Sequence, residues 1–218
     1  MIKLLKAIFI NIVIIALGVS IVYFFSPNSQ TFKDKHAQQL PAIGQPAPKF
    51  MGISHTGKKI SLSDYTGKTV VLEWKNHLCP FVKKHYSQNN MQHLQKELTD
   101  KGGVWLSIIS SALGKQGHLT MQECENQIQK ENSHATAVIL DISGAIGKLY
   151  KAKTTPHMFV INPAGILVYK GAIDSIRSAN KADIAEATNY VNLAITAIKN
   201  ETPMSPASST SYGCSIKY

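Results

Sequence analysis

An α/β domain with a mixed central sheet flanked by helices is the fold class this sequence predicts, and three observations carry the prediction. β-branched and apolar runs at 69–74, 104–110 and 137–140 alternate with amphipathic stretches, the pattern of strands joined by helical crossovers. Residues 158–161 and 166–169 form two more apolar runs around Asn162-Pro163-Ala164-Gly165, a tight turn between antiparallel strands, so the sheet is expected to be mixed. The stretch 183–199 closes the pattern with Ile184, Ala187, Val191, Ala194, Ile195 and Ile198 on one helical face.

Taken in order, the chain opens with Lys3 and Lys6 ahead of an apolar run from Ala7 to Phe25. That run is long enough to cross a bilayer as a helix and ends on bulky residues rather than on a small-residue cleavage site, which favours an anchor at 1–25 over a removed signal. The lysines place the amino end in the cytoplasm, so everything after Phe25 is expected on the far side of an inner membrane, in the periplasm of a Gram-negative host. Residues 26–45, with Pro27, Pro41 and Gly44 in a polar setting, read as a tether, and 46–200 as the domain. Two short strands are expected within 49–62, turning at Thr56-Gly57. After the strand at 69–74, a helix is expected from Pro80 to about Lys101, stopped by Gly102. Thr120-Met121-Gln122-Glu123 has the capping-box pattern and opens a helix carrying Cys124; a further short helix is expected over 142–150. Residues 201–218, rich in Ser and Pro, read as a flexible tail.

Composition excludes some classes of function. The formal charge is +10, but the lysines are scattered and Arg177 is the sole arginine, so a solvated surface with some affinity for anionic membrane explains the excess better than nucleic acid does. Three cysteines are too few to staple a domain of this size, which has no need of staples.

Cys79 carries the chemistry. It lies in Glu73-Trp74-Lys75-Asn76-His77-Leu78-Cys79-Pro80-Phe81-Val82, where a strand hands over to a helix. Unpaired N–H groups and the positive end of the helix dipole favour thiolate there, and the thiolate is the nucleophile. Pro80 suits the first helical position. About 16 tail residues span roughly 20–25 Å, so Cys214 can fold back to reach Cys79; reach alone equally allows a thiol left in solvent or paired between two molecules. Cys124 has Glu123 and Glu125 beside it, and carboxylates raise a thiol pKa, which makes it a bystander.

Trp74 with the run Cys79-Pro80-Phe81-Val82-Lys83-Lys84-His85-Tyr86, the run Thr154-Thr155-Pro156-His157-Met158-Phe159-Val160-Ile161-Asn162, the stretch 110–117 and the ending Tyr212-Gly213-Cys214-Ser215-Ile216-Lys217-Tyr218 together resemble the thioredoxin-like superfamily. Within it the chain is similar to exported bacterial redoxins of the alkyl hydroperoxide reductase and thiol-specific antioxidant kind, over about residues 45–218. The resemblance implies a thioredoxin-like fold and a thiol oxidoreductase without a cofactor, acting on protein disulfides or hydroperoxides and re-reduced by a thiol electron donor. It makes Cys79 the nucleophile and Cys214 the resolving thiol. Pro156 becomes the cis-proline facing Cys79, and Thr155 offers strand-like hydrogen bonds to a bound partner. Trp74, Asn76, Pro80, Phe81 and His157 are implied as substrate contacts; as an imidazolium His157 would lower the Cys79 pKa, but a strand histidine is more often a satisfied polar neighbour. Two departures are evident. Val82 replaces the second cysteine of Cys-x-x-Cys, and Leu72 and Asn76 stand where narrow-sense peroxiredoxins have Pro and Thr/Ser, so the peroxide-binding hydroxyl is missing. A different class, a copper-handling module, would use Cys79, His77, His85, His157 and Cys214 as soft ligands.

Overall fold

The computed structural model describes residues 40–218. The anchor at 1–25 and all but the end of the tether lie outside the described residues. Among the described residues no helix is long and apolar enough to cross a membrane.

Five strands make the central sheet: β3 (Val70–Trp74), β4 (Val104–Ile109), β5 (Ala137–Leu140), β7 (His157–Ile161) and β8 (Leu167–Gly171). Their order is β5-β4-β3-β7-β8, with β3, β4 and β5 parallel and β7 and β8 antiparallel, the expected mixed sheet. A small antiparallel pair, β1 (Met51–Ile53) and β2 (Lys59–Ser61), precedes it and turns at Gly57. Alternation along β3 sends Val70, Leu72 and Trp74 into one apolar layer with Phe159 and Tyr150, and Val71 into the other with Val82, Met91 and Trp105. All five β3 residues are buried, as a central strand covered on both faces requires.

The helical stretch after Cys79 is two helices, α1 (Pro80–Tyr86) and α2 (Asn90–Asp100), broken at Asn89, whose left-handed φ of 56° ends one helical path and begins another. The closing stretch is likewise α5 (Asp183–Glu186) and α6 (Tyr190–Lys199). Thr120 and Glu123 form the expected capping box at the start of α3 (Met121–Lys130), and α4 (Ala145–Leu149) is a single short helix.

The tail departs most from expectation. Rather than hanging free, it runs across the domain and ends in β9 (Cys214–Ser215), which pairs antiparallel with β6 (Thr154–Thr155). Ile216 N–H donates to the Lys153 carbonyl, Ala112 N–H to that of Lys217, and the Tyr218 hydroxyl to that of Ala152. Its polar composition predicts a loose segment, but these backbone groups have partners on the domain.

Candidate active site around Cys79

Strand β3 ends at Trp74, and the four residues after it turn the chain into α1 with Cys79 as the N-cap. Asn76 shapes that turn. Its carbonyl accepts from Cys79 N–H at 3.0 Å and its Oδ1 from Leu78 N–H at 2.9 Å, while Nδ2 donates to the Gln116 carbonyl at 3.3 Å. Gly117 is required beside it, since a Cβ there would sit 2.5 Å from the Asn76 amide. The Cys79 carbonyl then accepts from Lys83 N–H at 2.9 Å, and Pro80 occupies the first turn where an N–H would have had no partner.

Opposite Cys79 lies the Thr155–Pro156 peptide, which is cis. The Cys79 thiol donates to the Thr155 carbonyl at 3.0 Å. Pairing of Thr155 with Cys214 lays the tail thiol against the same spot, within hydrogen-bond reach of Cys79. Gly213 makes this approach feasible: its φ is +121°, and a Cβ there would lie 2.0 Å from the Thr155 oxygen. Tyr212 anchors the strand from the other end. Its ring packs edge-on against Phe81, with 5.8 Å between centroids, and its hydroxyl donates to Asp174. Asp174 also accepts from the buried Lys84 ammonium at 3.2 Å, with the His85 ring 3.7 Å away. Covered by the tail, Cys79 has no exposed surface.

The two facing thiols are electrostatically unequal. Burial pushes the Cys79 thiol up, but hydrogen bonds from the Cys214 side chain and N–H, Thr155 and Val82 N–H outweigh it, leaving Cys79 below the ordinary thiol range. The Thr155 carbonyl acts against this by accepting from the protonated thiol; the several donors to sulfur prevail over that single acceptor. Cys214 is pushed up to about 11 by burial and then by Cys79 itself. Cys79 is therefore the first of the pair to ionise. Cys124, buried on the inner face of α3, is raised to about 11 chiefly by burial, with Glu125 a smaller contributor than the adjacent carboxylates suggest.

Other residues singled out in the sequence take different places. Trp74 is fully buried, packed on Phe159 and Tyr150 with its Nε1–H donating to Ser110 Oγ, so it is a core residue rather than a substrate contact. His157 does not act as a cation beside Cys79. Burial, reinforced by Lys153 and Lys170, lowers it to about 3, and its ring stacks on Phe159. Asn76 gives one of its two amide N–H groups to the Gln116 carbonyl and is itself buried. Phe81 is half-buried, its ring against Tyr212 of the tail. Among the described residues no three His, Cys, Asp or Glu side chains converge to hold a metal ion, so the copper arrangement of Cys79, His77, His85, His157 and Cys214 is not assembled.

Sequence reading missed Glu73. It is fully buried on the α1–α2 face of β3 and accepts from Trp105 Nε1–H and Ser107 Oγ at 2.8 Å and from the Tyr86 hydroxyl at 3.0 Å. A carboxylate in the middle of an otherwise apolar strand was the available signal. The Asp174, Lys84 and Tyr212 cluster was missed as well, since its members lie far apart in the chain.

The AhpC/TSA family pattern matches residues 43–170. No curated protein matches the chain. Among solved structures, an uncharacterized conserved protein of Geobacillus kaustophilus superposes with a TM-score of 0.69 at 22% identity, covering 82% of this chain and 93% of that one. A hypothetical protein of Sinorhizobium meliloti 1021 gives 0.68 at 20%, covering 81% and 94%. A Chlorobium tepidum structure described as a candidate thiol:disulfide interchange protein DsbE gives 0.51 at 21%, covering 72% and 97%. At these identities the likeness is one of fold, and the fold is thioredoxin-like.

Proposed function

From the premise that the chain belongs to the AhpC/TSA family, and so is a thiol-disulfide oxidoreductase or thiol peroxidase, we propose that it works outside the cytoplasm through a Cys79–Cys214 pair. Cys79 is the nucleophile and Cys214 the resolving thiol. One observation carries this reading: β9 hydrogen-bonds to the Thr155 edge and sets Cys214 on Cys79, with Cys79 the more acidic of the two. Lys3, Lys6 and the apolar run 7–25 support export and anchoring in the inner membrane.

The chemistry balances with these two sulfurs and an external dithiol. A Cys79 thiolate attacks one sulfur of a substrate disulfide, forming a mixed disulfide and releasing the other sulfur as a thiolate, which takes a proton. Cys214 then attacks Cys79, closing the Cys79–Cys214 disulfide and freeing the second substrate thiol. With a hydroperoxide, Cys79 takes the terminal oxygen as sulfenic acid and an alcohol leaves; Cys214 attack expels water and gives the same disulfide. A thiol electron donor restores both thiols. The absence of a hydroxyl at position 76, where Asn76 stands, favours the disulfide branch.

The tail bears on access in both branches. It occupies the backbone edge of Thr155 where an extended partner would pair, so β9 must leave before a protein substrate docks and return to resolve it. Stopped-flow measurement of peroxide-driven oxidation and of disulfide reduction, in wild type and Cys79→Ser, tests the proposal. Loss of activity in Cys79→Ser, and trapping of a mixed disulfide in Cys214→Ser, is expected. Unchanged rates in Cys79→Ser would sink it, and a peroxide reaction faster than disulfide exchange would reverse the order of substrates.

A further inference from the structure

A cavity lined by neither Cys79 nor Cys214 opens beside Thr154 of β6 with a volume of about 610 Å³, the size of a small-molecule site. Its chemistry is one-sided. Lys151, Lys153 and Lys170 line it, and no aspartate or glutamate does. The Ser209, Thr210 and Ser211 stretch of the tail forms another part of the wall.

His157 gives the cavity a built floor. Only 8% of this residue is exposed, and its ring lies 4.6 Å from that of Phe159, which is itself set edge-on to Tyr150. The Lys153 backbone N–H donates to His157 Nδ1 at 3.3 Å, which places the ring proton of the neutral imidazole on Nε2. That N–H has no protein acceptor among the described residues. Lys153 and Lys170 lie close enough to act on the ring electrostatically, in keeping with the low pKa of His157. Lys170 spends one of its three N–H bonds on the Pro41 carbonyl, at 2.8 Å, and keeps the others. The polar groups that remain are therefore mostly donors: two or three ammoniums, an imidazole N–H and hydroxyls. A cluster of donors around the His157 ring, beside the apolar Leu40 and Ala42 and with no counter-charge, is what an oxyanion attached to a small apolar body requires.

We propose that this cavity binds a small planar organic anion, its carboxylate or phosphate group held by Lys153, Lys170 and the His157 Nε2–H and its apolar body set against the exposed Leu40 and Ala42 of the wall. The ligand bridges β6 and the tail segment 209–211, two elements that flank the β9 docking edge. The proposal stands apart from the redox reading, since no cysteine takes part.

The test titrates the full chain, labelled with ¹⁵N at histidine, with benzoate, phenyl phosphate and the neutral isostere benzamide. At least one anion is expected to shift the His157 ring signal, assigned through its contacts with Phe159, and to bind at least about tenfold more tightly than benzamide. Lys153→Gln and Lys170→Gln should each weaken that anion by about tenfold while leaving benzamide and the rate of Cys79 alkylation unchanged. Preference for benzoate assigns a carboxylate ligand, and preference for phenyl phosphate a phosphate one. Benzamide binding as well as the anions, failure of both anions to bind, shifts confined to other histidines, or lysine variants without effect would each overturn the proposal.

Discussion

At the level of single residues, the acidity of Cys79 depends on a neighbour from the far end of the chain. The helix start alone offers Val82 N–H, but the side chain and N–H of Cys214 stand ahead of it among the groups that lower the thiol pKa. The rate of iodoacetamide alkylation at Cys79, followed against pH, should show a midpoint lower than that of an unhindered cysteine. In Cys214→Ala the midpoint should move upward, because a sulfur contact is lost and burial acts with less opposition. A midpoint that stays in place would mean the helix start does the tuning by itself. His157 illustrates the opposite outcome: of its two readings, a cation near the thiol or a polar neighbour, enclosure and two lysines select the neutral ring.

Among the elements, β9 has the least sequence behind it, with two residues of strand and no apolar run, yet it closes the site. Its position depends on Gly213, for which any side chain would meet the Thr155 carbonyl. Gly213→Ala should lift β9 away and lower stability by roughly 1–3 kcal/mol through a clash and a strained backbone. Hydrogen exchange would then accelerate at Ile216 and Ala112, whose N–H groups bond to or from the tail, while β3 and β4 amides keep their protection. Unchanged exchange at those two amides would show that the strand tolerates a Cβ. Local signals elsewhere were legible. The Thr120 and Glu123 capping box, the Pro80 helix start and the hairpin at Asn162-Pro163-Ala164-Gly165 depend on neighbours within a few residues, and each stands as the sequence suggested. The break at Asn89 was not legible, because Met91, Leu94 and Leu98 continue a plausible stripe and only packing decides that α1 and α2 follow different axes.

Over the whole molecule, two buried neutral histidines tie stability to pH. Burial is the main cause in each: His85 is lowered to about 4, with Asp174 acting against the shift and Lys84 with it, and His157 to about 3. Because folded values lie below the unfolded 6.5, the folded state has its full advantage above pH 6.5 and loses it as pH falls and the unfolded chain takes up protons first. The slope is about 1.4 kcal/mol per pH unit per histidine, continuing toward pH 4 for His85 and pH 3 for His157. Denaturant melts at pH 7, 6 and 5 should show the decline, and His85→Gln should flatten part of it. A stability independent of pH over that range would contradict this account. By itself the amino-acid order settled the alternation of strands and helices, the helix-start position of Cys79 and the lack of a second cysteine beside it, because periodicity, caps and turns act over a few residues. Only the tertiary structure decided that the tail docks, that Trp74 and His157 turn inward, that Glu73 gathers Tyr86, Trp105 and Ser107, and that Cys214 faces Cys79. Each of these depends on groups distant in the chain being driven together by burial, where an unpaired polar atom is costly and must find whatever partner the packing brings.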